Sequence, residues 1–150
     1  MVKKVDEIRV TPLIDHVGWR LWRASQAWMG RFQRDMVAAG HPVFAEARAQ
    51  LIPHIDREGT RQSDLVLRMG LSKQAVQQLV VGLERDGLIE RLPDPDDARG
   101  KVVAFTERGQ AMLTDANDVK KTIEKEYRTQ LGAEGFAQLV AALDRLDETG

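Results

Sequence analysis

GLSKQAVQQLVVGLERDGLIERL, residues 70–92, is the stretch on which the fold turns. Gly70 closes whatever precedes it, and Ser72 stands where a helix needs an oxygen acceptor for its first free amides. Val76, Leu79, Val80 and Leu83 then repeat at i, i+3, i+4 and i+7, which is one buried stripe of an amphipathic helix. Gly87 supplies the C-cap, and Leu88-Ile89-Glu90-Arg91-Leu92 reads as a strand. With the stripe turned inward, Lys73, Gln74, Gln77, Gln78 and Val81 face out.

Reading outward, the turn Arg57-Glu58-Gly59 precedes Thr60, which predicts an N-cap for a short helix through Leu65, Leu67 and Met69. Two short helices joined by Gly-Leu-Ser form a helix-turn-helix. Downstream, residues 93–100 read as a polar loop dense in turn formers, and Val102-Val103-Ala104-Phe105 as the returning strand of a hairpin. Thr106 caps a helix with Gly109 early in it and Met112, Leu113, Ala116, Val119, Ile123 and Tyr127 on its apolar side. After Leu131-Gly132 a last helix carries Phe136, Leu139, Val140, Leu143 and Leu146. At the other end, Thr11-Pro12 predicts the start of a long helix through Leu13, Val17, Leu21, Ala24, Trp28, Phe32 and Met36, stopped by Gly40 and Pro42. A second helix is predicted over about 43–55, shortened or kinked by Pro53. The fold class is mainly α with a small β-hairpin wing: a winged helix-turn-helix with an α-helical dimerisation region. The expected division is a dimerisation helix in 1–42, the winged lobe in 43–108 and dimerisation helices in 109–150.

Composition narrows the chemistry. The chain has 150 residues, 43% hydrophobic and 30% charged, enough for a core without staples. It contains no cysteine, which removes disulfides, thiolate catalysis and thiol redox sensing. MVKKVDEIRV has no apolar core of a leader, and no apolar run reaches membrane-spanning length, so a cytoplasmic protein is expected. The formal net charge is −1, divided as +2 over 1–56, 0 over 57–110 and −3 over 111–150. Nucleic-acid binding therefore cannot be argued from bulk charge; it must come from the placement of particular side chains.

That placement is suggestive. A glutamine amide both donates and accepts, matching the N6/N7 edge of adenine in the major groove, and Lys73 can reach guanine or phosphate. The helix starting at Ser72 offers free N–H groups and a partial positive charge. Arg99 and Lys101 are expected at the tip of the hairpin, where an arginine suits the electronegative minor groove.

The sequence resembles the MarR family of bacterial transcription regulators. The likeness is carried by Gln62-Ser63-Asp64-Leu65, Gly70 to Val76, Leu83 to Arg91, Asp97-Ala98-Arg99, Phe105 to Gly109 and the closing helix with Glu134. It implies a DNA-binding homodimer without a cofactor, with Ser72, Lys73, Gln74, Gln77 and Gln78 on the major-groove helix. It implies Arg99 and Lys101 on the wing, and Asp97 holding the wing through ion pairing. It further implies repression of a near-palindromic operator, relieved by a small ligand. Gln77 and Gln78, with Val81 and Gly82 nearby, stand at outward positions where relatives often carry Ser, Thr and Arg, and Pro53 is atypical.

A small aromatic or anionic effector would find His16, Trp19, Trp22 and Arg23 on the first helix, although tryptophans at helical spacing are more often dimer core. His16, His41 and His54 form no metal-binding spacing, so no metal is expected, and Asp94, Asp96 and Asp97 read as a solvated turn. No Ser, His and acid share a catalytic spacing, so an enzyme is not expected. The rival function is a winged helix that binds protein rather than DNA, which the neutral 57–110 segment permits.

Overall fold

The computed structural model describes residues 11–147, so the N-terminal stretch read as lacking a leader lies outside the described residues. The chain divides into a unit ending at Arg31 and a unit from Phe32 onward. In the first, residues 11–16 have no regular structure and α1, Val17–Ala38, begins. The helix does not start at Thr11-Pro12: the His16 ring accepts the Trp19 amide through Nδ1 at 3.3 Å, so a side chain caps the helix later than expected. Asp15 pairs with Arg20 beside that cap.

In the second unit the end of α1 buries Phe32 and Met36. The predicted helix over 43–55 is instead two 3-10 helices, Pro42–Ala45 and Ala47–His54, with Glu46 extended between them. Pro53 lies inside the second; in an α-helix its ring would strike the carbonyl four residues back. Thr60 is not a helix cap either. Thr60–Arg61 form a short strand β1, α2 follows as Gln62–Met69, and Gly70 ends it in the left-handed conformation at φ 62°. Thr60 is buried, its hydroxyl accepting the Asp56 amide at 2.8 Å and donating to the Asp56 carboxylate at 3.2 Å.

Helix α3, Lys73–Arg85, follows the sequence reading: Ser72 Oγ accepts from the Ala75 amide at 3.1 Å, and Val76, Val80 and Leu83 are fully buried, whereas Leu79 of the expected stripe is half-buried. It packs on α2, the second 3-10 helix and the hairpin. Each such side chain removed from water stabilises by about 1.5–3 kcal/mol, so α3 cannot rotate without large loss. Gly82 lets Arg48 cross the helix: a β-carbon there would lie 2.8 Å from Arg48 Cδ. Arg48 thereby reaches Asp86 with Nε–Oδ2 at 2.6 Å.

Strands β2, Ile89–Asp94, and β3, Asp97–Phe105, join β1 in a three-stranded antiparallel sheet of order β1-β3-β2. The strands run through most of the segment read as loop, leaving only Pro95-Asp96 as the turn, with an irregular register at Pro93/Asp94. Helix α4, Glu107–Asp147, starts from the Thr106 cap, which accepts the Gly109 amide at 3.1 Å. It is broken at Gly132, φ 73°, into 107–131 and 133–147, as the Leu131-Gly132 punctuation predicts. Among the described residues no helix is long and apolar enough to cross a membrane.

Candidate nucleic-acid interface

The inward stripe of α3 fixes which side chains look out. Lys73, Gln74 and Gln78 are exposed; Gln77 and Val81 are half-buried. Gln77 is not free, because its side-chain oxygen accepts from the Gln62 amide on α2. Its own NH2 remains to donate, so Gln77 enters any base contact already oriented by Gln62. Ser72 serves as the cap and holds the start of α3 in place.

A groove of about 900 Å³ runs between α2–α3 and the wing, with Lys73, Gln74 and Gln77 on one side and Asp97, Arg99 and Lys101 on the other. Six of the eight DNA-contact candidates thus meet in one place; Ser72 and Gln78 stand outside it. Arg99 and Lys101 are exposed, but they lie along β3 rather than at the tip, which Pro95-Asp96 occupies. Lys73, Arg99 and Lys101 have no ion-pair partner among the described residues. Five cations line the groove (Arg61, Lys73, Arg91, Arg99, Lys101) against four carboxylates (Asp64, Asp94, Asp96, Asp97), a local excess of one positive charge in a chain of net charge −1.

Three of the four carboxylates have structural employment. Asp94 is buried, not part of a solvated turn, and Arg61 binds it at 2.7 Å and Asp96 at 2.8 Å. The Asp96 amide, first, and the Arg61 guanidinium, second, hold the Asp94 carboxyl below its usual range. Arg61, on β1 at the entry to α2, therefore ties the wing to the helix-turn-helix. Asp97 does support the wing, but its carboxylate accepts the Arg99 backbone amide at 2.9 Å; the ion pairing expected of it is carried by Asp94 and Asp96. Arg61 and Arg91 went unnoticed in the sequence because each looks like any surface arginine. Arg91 is half-buried and pairs with Glu84 of α3 at 2.8 Å, linking β2 to that helix.

The geometry suits duplex DNA. Major and minor grooves are separated by one sugar-phosphate backbone, so a reading helix in one and a wing in the next would straddle that backbone.

The first-helix candidates form a different surface. Trp19 and Trp22 stack at 4.9 Å between ring centroids, about half-exposed. His16 is committed to the helix cap, and Trp22 and Arg23 border a shallow depression shared with Arg20 and Gln26.

Comparison with known proteins gives a family match, to the MarR family, over residues 47–100. The chain is 27% identical to the transcriptional regulator HosA of Escherichia coli over 118 residues, 77% of this chain and 84% of that protein. It is 31% identical to the homoprotocatechuate degradative operon repressor of Escherichia coli over 90 residues, 58% of this chain and 59% of that one. Among solved structures, wild-type MarR of Escherichia coli in its apo form superposes with a TM-score of 0.69 at 21% identity, covering 90% of this chain and 98% of that chain.

Proposed function

The chain is a winged helix-turn-helix protein of the MarR family, and on that premise we propose that it is a homodimeric transcriptional regulator that binds a near-palindromic operator. The observation that carries the proposal is the groove in which the exposed face of α3 meets Arg99 and Lys101 of the wing, which have no ion-pair partner among the described residues. Lys73, Gln74, Gln77 and Gln78 read or approach the major groove, with Ser72 fixing the helix start; Arg99 enters the minor groove and Lys101 the adjoining backbone. Asp97 shapes the wing backbone that presents Arg99.

Dimerisation follows from apolar surface that a single protomer leaves uncovered. Leu13, Ile14, Val17, Trp19 and Trp22 near the start of the chain are 49–98% exposed, and Leu139, Val140, Leu143 and Leu146 near its end are 38–59% exposed. Burial in a two-fold interface is the commonest solution for such surface. It assigns the outer segments, 1–42 and 109–150, to assembly and 43–108 to DNA. A second reading, favoured by the stacked Trp19–Trp22 pair beside Arg23, is that His16, Trp19, Trp22 and Arg23 also receive a small aromatic or anionic effector. Such a ligand would relieve repression by changing the spacing of the two α3 helices. The protein acts in the cytoplasm, without a cofactor and without catalysis.

Fluorescence anisotropy with a duplex obtained by binding-site selection tests the proposal. Lys73, Arg99 and Lys101 of two protomers give a slope of log affinity against log salt of about −5 if each of the six cations, whether in a groove or on the backbone, releases one counter-ion. Arg99→Ala should weaken binding and flatten that slope, and Gln77→Ala or Gln78→Ala should change sequence preference more than salt dependence. A monomer indifferent to duplexes at low salt, or variants binding like the parent, would overturn it.

A further inference from the structure

Gln62 opens α2, Gln77 stands midway along α3, and both side chains line the α3–wing groove. They are half-buried and joined, Gln62 Nε2 donating to Gln77 Oε1. Gln62 has little freedom to turn away. It follows Arg61 directly, and Arg61 is pinned by Asp94 at 2.7 Å and Asp96 at 2.8 Å. The bond therefore belongs to the folded lobe before any duplex arrives. It divides the glutamines of α3 into two kinds. Gln74 and Gln78 are exposed and have no hydrogen-bond partner among the described residues, so each keeps a donor end and an acceptor end. Gln77 has its oxygen turned toward α2, and what it has left to offer the groove is its NH2 group.

A glutamine reads adenine with both ends at once, its oxygen accepting from N6 and its NH2 donating to N7. With the oxygen held by Gln62, that two-ended match requires a rearrangement, and the amino group of adenine would confront a donor. Guanine presents two acceptors side by side, N7 and O6, and no donor on that edge. We propose that Gln62 is a positioning residue that turns Gln77 into a donor, so that the operator base facing Gln77 is guanine rather than adenine. Thymine, with O4 as its one acceptor, ranks second; cytosine and adenine, each with an amino group in the major groove, rank last. Lys73, one turn earlier on α3 and in the same groove, adds a positive charge beside that acceptor edge. The inference rests on the DNA-binding reading and deepens it, replacing the glutamine-to-adenine match at this position by an acceptor match.

The free protein and its duplex complex test the two halves separately. In the free full-length protein, Q77A should shift the Gln62 side-chain amide signals in nuclear magnetic resonance, and Q74A should not. Binding-site selection with the parent and Q77A locates the base whose preference depends on Gln77, and fluorescence anisotropy with every base at that position gives the ranking. The parent should favour guanine over adenine by about fivefold or more, the lower end of what one good side chain–base match discriminates. Q62M, which keeps the length and removes the donor, should free the Gln77 oxygen and bring adenine level with guanine or above it. Preferences elsewhere in the site should stay as they were, which a merely structural role for Gln62 would not produce. Q62E, whose carboxylate only accepts, should turn the Gln77 NH2 toward itself and move the preference to cytosine or adenine, whose amino groups donate. Its added charge weakens all duplexes alike and leaves the ranking readable. A parent that favours adenine at this position overturns the proposal, as do Q62M and Q62E rankings equal to the parent's. So do Gln62 signals indifferent to Q77A, or a Q77A site identical to the parent's. Each of those results leaves DNA binding standing; a parent indifferent to all duplexes removes the DNA-binding reading and the proposal with it.

Discussion

Replacing Gly109 by alanine probes the junction on which the wing depends. Gly109 is buried in the first turn of α4, where alanine would ordinarily raise helix stability by about 1 kcal/mol. Here a β-carbon would overlap the Leu88 carbonyl oxygen and come within 3.1 Å of both the Leu88 carbonyl carbon and Phe105 Cδ1. That oxygen cannot simply withdraw, because it accepts the Thr106 amide at 3.1 Å. The Thr106 hydroxyl in turn donates to the Gly87 carbonyl at 2.6 Å and accepts the Gly109 amide. Overpacking of this kind costs about 1–3 kcal/mol, and a strained or broken Thr106–Leu88 hydrogen bond adds about 1 kcal/mol. Against the helix gain, a net loss of about 1–3 kcal/mol remains, which for a chain of this size lowers Tm by roughly 3–10 °C. Urea and thermal unfolding at fixed protein concentration measure it. Gly135→Ala is the matched control: its β-carbon would meet only Leu131 Cβ at 3.4 Å, ordinary contact, so stability should hold or rise by up to about 1 kcal/mol. Gly109→Ala proving as stable as the parent would refute the account of this junction.

Arg61→Met should free the wing, with faster amide exchange over 95–101 and weaker duplex binding; unchanged exchange there would mean that Asp94 and Asp96 do not depend on Arg61. Asp56, held mainly by the Arg68 guanidinium, and Asp94 both have carboxyls lowered from 3.8. Their stabilising contribution is therefore complete above that value and is lost as pH falls through the depressed values, so the urea midpoint should decline below about pH 4. The Arg61→Met/Arg68→Met double variant should show a shallower decline, and an equal one would count against these pairs. Trp22→Glu together with Leu143→Glu should shift the molecular mass measured by light scattering from dimer to monomer and weaken operator binding; a persistent dimer would place the interface elsewhere.

Much of the candidate site was legible because it rests on local rules. The Ser72 cap, the Val76–Leu83 stripe and the left-handed glycines at Gly70 and Gly132 follow from backbone geometry and 3.6-residue periodicity. Once that stripe faces inward, Lys73, Gln74 and Gln78 have no other direction to point. The misreadings lie where local preference is overruled at a distance. Thr60 looks like a cap because caps and edge strands share its chemistry; pairing with Val103 decides for the strand. Asp94 looks solvated among prolines and acids until Arg61, far back in the chain, is brought against it.

By itself, then, the order of residues determined a helix-turn-helix, a hairpin after it and apolar helices flanking both, since each is set by neighbours a few positions away. Only the tertiary structure decided that Gln62 orients Gln77 and that Arg61 fastens the wing. Those relations join side chains whose separation along the chain carries no pattern. They arise when the core closes and fixes which charges are paired and which are left over.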